Sequence, residues 1–423
     1  MPCSAHPISR AHIHPGALRV LNTLKDSGFV SYLVGGCVRD LMLGREPKDF
    51  DVVTDARPEE IRKLFRNARL IGRRFRLAHV RYGREVIEVT TFRALPRTAE
   101  GDDTDLSKTP EGRILQDNVF GTQEEDALRR DFTVNALYYD IHDYSVIDYV
   151  GGVEDLKRGL LRIIGDPETR YREDPVRLLR AVRFAAKLGF RIEPQTEAPI
   201  ATLARLLLDV PPARMFEEVI KLFHGGYALE TYELLRKYSL FSYLFPLTED
   251  ALTRERDGYP LILVPSALAN TDIRVQQGKP ITPAFLFAAI LWEPIRRQTD
   301  TYLAEGHAPQ EAIQLAAEHV LAQQVQHVAL PRRFSVPMRE IWTLQSRFTR
   351  RGGQAAFRFL QHKRFRAAYD FLVLRAQAGE DSTELSEWWT RFQEVDQGQR
   401  RVMVRQLTAA GQRKRKRRRK GKS

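Results

Sequence analysis

Two aspartates one residue apart, Asp49 and Asp51, sit in the apolar run DFDVV. In an extended strand residues i and i+2 share a face, so both carboxylates project together, with Phe50 on the other side. Carboxylates this close repel, and one would stay protonated unless a cation neutralised them. A divalent cation held by one or two carboxylates and by substrate phosphates removes the conflict, and Mg²⁺ suits such oxygen ligands. Two such ions can activate a hydroxyl and stabilise a leaving oxygen. An Asp-x-Asp pair alone is common, and its plainer reading is two exposed side chains on an edge strand. The upstream residues change that balance. Gly35 and Gly36 follow an apolar strand, FVSYLV, and let backbone N–H groups approach a phosphate. A helix starting at Cys37 adds its partial positive charge, and Arg39 lies one turn in. Together these features form a triphosphate cradle beside a metal pair.

The elements that must position these groups can be read in order. Residues 1–14 read as a disordered lead. A helix follows, with Leu18, Leu21 and Leu24 on one face and Gly28 as its stop. CVRDLML is a short helix ended by Gly44, and DFDVV is a strand. TDARPEEIRKLF is a helix capped by Thr54 or Asp55 with Pro58 near its first position. Strands follow at 69–72, 78–82 and 85–92. The polar segment 94–117 reads as a mobile loop. EEDALRRDFTVNALYYD reads as a helix, 145–149 as a strand ending at Gly151-Gly152, and LLRII closes the unit. Residues 15–165 are thus a small α/β head with a mixed sheet. From Asp174 the pattern is helical, beginning with apolar residues at 178, 181, 182, 185 and 188 and a stop at Gly189. A neck over 166–240, a helical body over 241–400 and a disordered basic tail over 401–423 complete the expected organisation.

The 423 residues are 43% hydrophobic and 29% charged, a globular composition. Net charge is +13, and nine of those charges lie between Arg413 and Lys422, leaving about +4 for the rest. Such a balance favours a polyanionic partner, although a basic tail also suits anionic lipid or a localisation signal. The two cysteines, Cys3 and Cys37, fit neither a disulfide framework nor a metal knuckle, which points to a reducing compartment. Cys37 reads as a small residue at a helix start, not a nucleophile. No apolar run reaches the length of a membrane span, and the N-terminus lacks the apolar core of a secretory signal. The cytoplasm is the expected location, and a monomer the expected state.

GGCVRDLMLG with KDFDVVT, RRDFTVNAL (129–137) and EDPVRLLRAVRFAAKLGF (173–190) resemble the ordered motifs of the class II nucleotidyltransferase superfamily, which contains tRNA CCA-adding enzymes and bacterial poly(A) polymerases. LIGRRFRLAHVRYGREVIEVTTFR (70–93) resembles the poly(A) polymerase branch, as do TPAFLFAAILW and KRFRAAYDFLVLRA further on. The resemblance implies an α+β fold: a mixed-sheet nucleotidyltransferase head, a helical neck that recognises the base, a helical RNA-binding body and a basic RNA-binding tail. It implies attack of an RNA 3′-OH on the α-phosphate of ATP, with two Mg²⁺ ions and release of pyrophosphate, in the service of RNA turnover. RNA-decay proteins are possible partners on this reading. CCA addition to tRNA is the alternative, and an RNA-binding protein with an inactive transferase fold is a third reading.

The resemblance also assigns roles. Asp49 and Asp51 are the metal-binding carboxylates. Asp131 is the expected third catalytic carboxylate, with Glu88 its rival in the alternating strand EVIEVTTF. Gly35, Gly36, Arg39 and Arg130 would hold the triphosphate and ribose. Asp174, Arg177 and Arg180 fall at i, i+3 and i+6, roughly one helix side, and would read the adenine edge through an acceptor and donors; an ion pair on a solvated face is the plainer alternative. Arg73, Arg74, Arg76 and His79 form a basic cluster that contacts substrate or is a solvated strand edge. Trp388-Trp389 reads as a packed helix end in preference to a base-stacking platform.

Overall fold

The computed structural model describes residues 1–72, 76–83, 85–94, 106–108, 114–117, 119–253, 262–380 and 383–407. The chain divides into two compact units, Met1–Leu206 and Leu207–Ser423. The division falls inside the expected neck, so the helices just after the head belong with it.

The first unit is built on a seven-stranded mixed sheet. Its strands are β1 (Ser31–Val34), β2 (Asp51–Thr54), β3 (Ala68–Ile71), β4 (Leu77–Tyr82), β5 (Glu85–Thr91), then β8 (Leu137–Tyr139) and β9 (Val146–Asp148), in the order β3-β4-β5-β2-β1-β8-β9. Strands β6 (Leu106–Lys108) and β7 (Ile114–Asp117) form a separate two-stranded ribbon within the segment expected as a loop. Most of the rest of that loop lies outside the described residues. β2 is parallel to β5 and antiparallel to β1, which makes the sheet mixed as expected. Helix α1 (Pro15–Asp26) buries Ala17, Val20, Leu21 and Leu24. That i, i+3, i+4, i+7 stripe is the face that packs; Leu18, expected on it, stays half-exposed. α2 (Gly36–Met42) carries Arg39, and α3 (Pro58–Leu64) starts at an Arg57 cap whose N–H is taken by Glu60, not at Thr54 or Asp55.

Two expectations are corrected. Residues 1–14 are not a disordered lead. Ile8 and Ile13 are buried, and Met1 exchanges two hydrogen bonds with Val146, which covers the β9 edge of the sheet. An unpaired edge is a liability that such a cover removes. The helix expected over 124–140 ends early: α4 (Gln123–Arg129) gives way to a short 3-10 turn, Thr133–Asn135, and then to β8. Leu137, Tyr138 and Tyr139 are all buried between β1 and β9, and that burial on both faces overrides the local helical pattern.

α5 (Gly152–Arg158) packs against that 3-10 turn. Asp148 accepts from four successive N–H groups, Val150 to Val153, and so caps the helix. Strand β10 (Leu160–Leu161) pairs with β11 (Arg191–Ile192), and between them run α6 (Pro167–Glu173) and α7 (Val176–Leu188). α7 buries Leu178, Ala181, Val182, Ala185 and Leu188, the expected stripe, and ends at Gly189 with φ 71°. α8 (Pro194–Glu197) and α9 (Ile200–Leu203) complete the unit.

The second unit is helical throughout its described residues, from Pro212–Phe223 to Thr383–Glu394. Leu263–Gln276 and Trp292–Ala304 are helices the sequence reading did not separate. Trp389 is fully buried against Phe348, Phe359 and Phe392, and its indole N–H donates to the Phe348 carbonyl at 2.9 Å. Trp388 stacks on Phe392 at 4.7 Å, so the tryptophan pair is a packed helix end. No described helix is long and apolar enough to cross a membrane. The expected disordered tail, 401–423, is corrected at its start: residues 401–407 are helical, and Met403 and Val404 are buried in the cluster that holds Trp389 and Phe392; its basic run, 413–422, lies outside the described residues.

Gly152 is where fold and site meet. A Cβ there would lie 2.2 Å from the Thr133 carbonyl oxygen, two residues from Asp131. Gly152→Ala is expected to cost about 2 kcal/mol or more, the usual scale of overpacking, and to lower the melting temperature by roughly 4–8 °C. Gly352→Ala, whose added Cβ meets nothing within 4 Å, should leave it unchanged. Equal melting of both variants would show that the turn yields freely.

Candidate active site

Asp49 sits in the bend before β2 and is exposed, Phe50 is buried, and Asp51 opens the strand half-buried. The alternation holds, although the strand itself begins only at Asp51. In the parallel register Asp51 stands beside Glu88 of β5, so these two side chains share a face. Burial, then Glu88, then Asp49 push the Asp51 carboxyl up to about 6, against the lowering effect of Arg130. Glu88 is likewise raised, by burial first and by Asp49, with Arg93 opposing. His79, opposite Glu88 on β4, brings Nε2 to 3.7 Å from its carboxylate. Three carboxylates therefore feel one another at the β2–β5 boundary.

All ten expected site residues line one cavity of about 410 Å³: Gly35, Gly36, Arg39, Asp49, Asp51, Arg130, Asp131, Asp174, Arg177 and Arg180. Glu88 is not among its lining. Gly35 has φ 76°, which a glycine adopts without steric cost. Its N–H donates to the Leu137 carbonyl, so it supplies the turn, not a phosphate donor. A Cβ there would lie 3.3 Å from Arg130 Nη1, and the bare backbone leaves that space to the guanidinium. The Cys37 thiol donates to the Val34 carbonyl and is pushed up to about 12 by burial and by Asp51, which removes it as a nucleophile.

The arginines are each tethered. Arg39 is only 2% exposed. Its Nε and Nη2 donate to Asp40 at 2.8 and 2.7 Å, and its Nη1 to the Asn135 side chain at 2.6 Å. Arg130 forks onto Asp126 at 3.0 and 2.9 Å, and Tyr138 donates its hydroxyl to the same carboxylate oxygen at 2.8 Å. Burial would raise Asp126, but Arg130, Arg93 and Tyr138 together hold it below the usual carboxylate range. Arg177 Nη1 donates to Glu173 at 3.0 Å and to the Arg170 carbonyl at 2.7 Å. Arg170 reaches from α6 to the carbonyls of Arg129 and Arg130 at 2.6 and 2.7 Å, which ties the helical part of the unit to the head. Asp174 accepts from the Val176 N–H at the start of α7.

Asp131 has a different environment from Asp51. Arg180 forks onto it at 2.7 and 2.5 Å, the Phe132 N–H donates at 2.8 Å and Asn135 Nδ2 at 3.2 Å. Burial opposes its ionisation, yet Arg180 and these donors hold it down at about 2. Asn135 thus accepts from Arg39 and donates to Asp131, joining α2 to α7. Phe184 packs beneath, its ring 5.3 Å from the Arg39 guanidinium, 5.1 Å from that of Arg180 and 4.7 Å from that of Arg183. The sequence reading missed Asn135, Asp126, Tyr138, Asp40, Glu173 and Phe184. Their signal was present: a polar side chain inside a buried stretch must find a partner. Of the basic cluster, Arg73 and Arg74 lie outside the described residues, and Arg76 is exposed beside Glu59 at 3.0 Å.

The cavity is therefore a cationic wall facing a carboxylate pair, a shape suited to a polyphosphate nucleotide. A solved CCA-adding enzyme of Bacillus stearothermophilus in complex with CTP is similar in fold, with a TM-score of 0.62 and 26% identity over 90% of this chain and 82% of that one. Fold and site together make this a nucleotidyltransferase by class. Family models described as the poly A polymerase head domain, a probable RNA and SrmB-binding site of polymerase A, and the polymerase A arginine-rich C-terminus match residues 31–162, 189–252 and 305–423. Poly(A) polymerase I of Salmonella typhi is 49% identical over 411 residues, 96% of this chain and 88% of that protein. A CCA-adding enzyme of Lactobacillus helveticus is 36% identical over 61% of this chain and 65% of that protein. The chain belongs to the poly(A) polymerase I family.

The raised Asp51 has a consequence for stability. Its folded value, about 6, lies above the ordinary 3.8, so the folded protein loses stability as pH rises from about 4 through 6. At pH 8 the penalty is fully present, about 3 kcal/mol. Asp51→Asn should therefore raise the melting temperature of metal-free protein at pH 8, leave it unchanged near pH 4, and abolish activity. Mg²⁺ with nucleotide should then stabilise only the unsubstituted protein. A lower melting temperature for the variant at pH 8 would show that the carboxylate is already neutralised by a partner.

Proposed function

We infer that the protein is a template-independent poly(A) polymerase that transfers AMP from ATP to the 3′-OH of RNA and releases pyrophosphate, a step that marks RNA for turnover. The observation that carries this reading is the relation to poly(A) polymerase I over 96% of the chain, head and arginine-rich C-terminal part together. The matched CCA-adding enzyme covers 61% of it.

The donor set suits a hard divalent cation. Asp49 and Asp51 are oxygen donors beside one another, and among the described residues no three His, Cys, Asp or Glu converge as a closed metal site. Such a site keeps ligand positions for substrate phosphates, as Mg²⁺ requires. Asp49 and Asp51 would hold the metal, two ions on the family's pattern, which when bound supplies charge neutralisation to the attacking and leaving oxygens. The remaining work belongs to the chain. Arg39 and Arg130 hold the triphosphate, each pre-aimed by its own carboxylate and hydrogen-bond partners, so little rotamer freedom is lost on binding. Asp174 offers an acceptor for the adenine amino group, and Arg177 a donor for the ring nitrogen. Held so, a nucleotide would present its α-phosphorus for in-line attack by the 3′-OH, and positioning of this kind supplies much of the rate.

Asp131 serves this site as the anchor of Arg180. Its oxygens already accept four hydrogen bonds, whereas Glu88 adds its charge directly to Asp51. Glu88→Gln should raise the Mg²⁺ concentration for half-maximal activity several-fold. Asp131→Asn should leave that concentration unchanged and raise KM for ATP about tenfold through a loosened Arg180. Steady-state titrations of metal and nucleotide separate the two, and the reverse assignment of effects would make Asp131 the metal-site carboxylate.

The activity itself is tested by extending a short labelled unstructured RNA with Mg²⁺ and each single nucleoside triphosphate. A long ladder with ATP only, absent in Asp49→Ala/Asp51→Ala, is expected. Addition restricted to CTP and ATP on truncated tRNA would instead place the chain with CCA-adding enzymes.

A further inference from the structure

The chain turns sharply just before β2. In an extended strand Lys48 would share the face of Phe50 and point away from Asp49. Instead Lys48 and Asp49 form a bend, with Pro47 and Phe50 buried on either side, and both Lys48 and Asp49 line the cavity. The approach to the bend is held as well: Arg45 donates to the carbonyls of Lys187 and Leu188 at the end of α7, at 3.4 and 3.5 Å. Lys48 therefore combines an anchored backbone with an exposed side chain on the cavity wall.

The other cations of the cavity are engaged. Arg39, Arg130, Arg177 and Arg180 are each paired with a carboxylate. Lys187 reaches Asp40 at 3.5 Å, Arg129 donates to the Ala94 carbonyl, and Arg93 acts on Glu88 and Asp126. Lys48, by contrast, makes no hydrogen bond or ion pair among the described residues. Nor does it relieve the neighbouring conflict, since the charges that act on the Asp51 carboxyl are Glu88, Arg130 and Asp49. Its ammonium adjoins the carboxylate centre in the chain without being neutralised there.

A tethered arginine and a free lysine suit different tasks. A fixed guanidinium fork holds a charge that stays in place, whereas a lysine is a point charge on a flexible stem with three rotating donors. Such a group accelerates a reaction where charge appears only as the reaction proceeds. In AMP transfer the 3′-oxygen bonds to the α-phosphorus as the bond from that phosphorus to the bridging oxygen breaks. The electron pair of the broken bond leaves on pyrophosphate, and the hydroxyl proton passes to water. Negative charge thus grows on the departing group, where a cation stabilises it.

We propose that Lys48 is a catalytic residue of the transfer step, its ammonium stabilising the negative charge that builds on the departing pyrophosphate. The proposal rests on the polymerase reading and deepens it. Lys48 keeps its proton and forms no bond; it supplies a mobile charge where Arg39 and Arg130 supply a fixed grip.

The test uses the full chain with a short unstructured RNA, ATP and Mg²⁺. Lys48→Gln, Lys48→Arg and Lys25→Gln are compared with the unsubstituted protein. The readouts are the rate of a single AMP addition with enzyme in excess, KM for ATP and for RNA, and inhibition by added pyrophosphate. Lys48→Gln should slow the single addition at least about tenfold, short of the roughly hundredfold or more that an enclosed donor supplies, because the site is open. Its KM values should change by less than about threefold, the mark of an interaction made in the transition state, and its inhibition constant for pyrophosphate should rise several-fold. Lys48→Arg should recover part of the rate. Lys25→Gln, exposed on α1, should match the unsubstituted protein throughout, and all melting temperatures should agree. An unchanged single-addition rate in Lys48→Gln would overturn the proposal. A raised KM for RNA with unaltered pyrophosphate inhibition would overturn it too, and assign the lysine to the strand. A slowed addition with a lowered melting temperature, not recovered by Lys48→Arg, would reduce the effect to one on the fold. Absence of extension by the unsubstituted protein would overturn the polymerase reading, and the proposal with it.

Discussion

The structure is organised around an electrostatic conflict at the β2–β5 boundary. Parallel pairing places Asp51 beside Glu88, and chain geometry places Asp49 on the same side. Neither hydrophobic burial nor hydrogen bonding resolves it: the Asp51 carboxyl is held up to about 6. A fold could relieve such a site by supplying a cation from a neighbouring side chain. Here the cavity contains many cations, yet nearly every one is committed elsewhere: Arg39 to Asp40 and Asn135, Arg130 to Asp126, Arg177 to Glu173, Arg180 to Asp131. The negative centre is left for a ligand to neutralise. A metal bound with a nucleotide would satisfy both sides, the cation meeting the carboxylates and the phosphates the arginines, as the proposed function requires. The instability of the empty site and its affinity for ligand are thus one quantity seen in two states.

Tethering has a second effect. An arginine that swings freely loses much side-chain entropy when it grips a phosphate. One already forked onto a carboxylate has lost it during folding, and its remaining N–H groups point in fixed directions. The chain Arg39–Asn135–Asp131–Arg180 extends this to the whole cavity, because it runs from α2 beside the glycine turn to α7 beside Asp174 and Arg177, the residues proposed to read the base. Phe184 packs under Arg39 and Arg180 alike. Displacement of one end should therefore be felt at the other, which makes phosphate grip and base choice parts of one rigid arrangement.

Much of this was legible in the sequence because it depends on short-range pattern. The strand–glycine–helix turn, the alternation of Asp49, Phe50 and Asp51, and the apolar stripe of α7 follow from local periods; Arg130, Asp131, Asp174, Arg177 and Arg180 were marked by the resemblance to the nucleotidyltransferase motifs, and all ten expected residues line one cavity. What escaped depends on long-range partners. NALYYD reads as helix by period but becomes a strand because β1 and β9 bury it from both sides. The first fourteen residues read as disordered because their cover of the β9 edge depends on Val146, more than a hundred residues away. Asp131 reads as catalytic by its motif, and only the position of Arg180 shows that its charge is already engaged.

The two units hold positive charge in different ways: the cavity's arginines are paired with carboxylates, whereas among the described residues Arg332, Arg339, Arg347 and Arg350 of the helical unit are exposed and make no ion pair. Discrimination of a nucleotide would need donors fixed in angle and distance, and the cavity's Arg39, Arg130, Arg177 and Arg180 are each paired with a carboxylate, Arg39 buried and the other three partly exposed. A grip that tolerates any sequence gains nothing from such fixing; it needs charge, exposure and mobility. Exposed arginines that make no ion pair among the described residues have that character. A cation pre-paired with a carboxylate would also lose most of its attraction for a distant strand, because the pair is a dipole whose field falls off faster than that of a single charge. The distribution of acidic residues around the arginines therefore determines which of the two states each adopts.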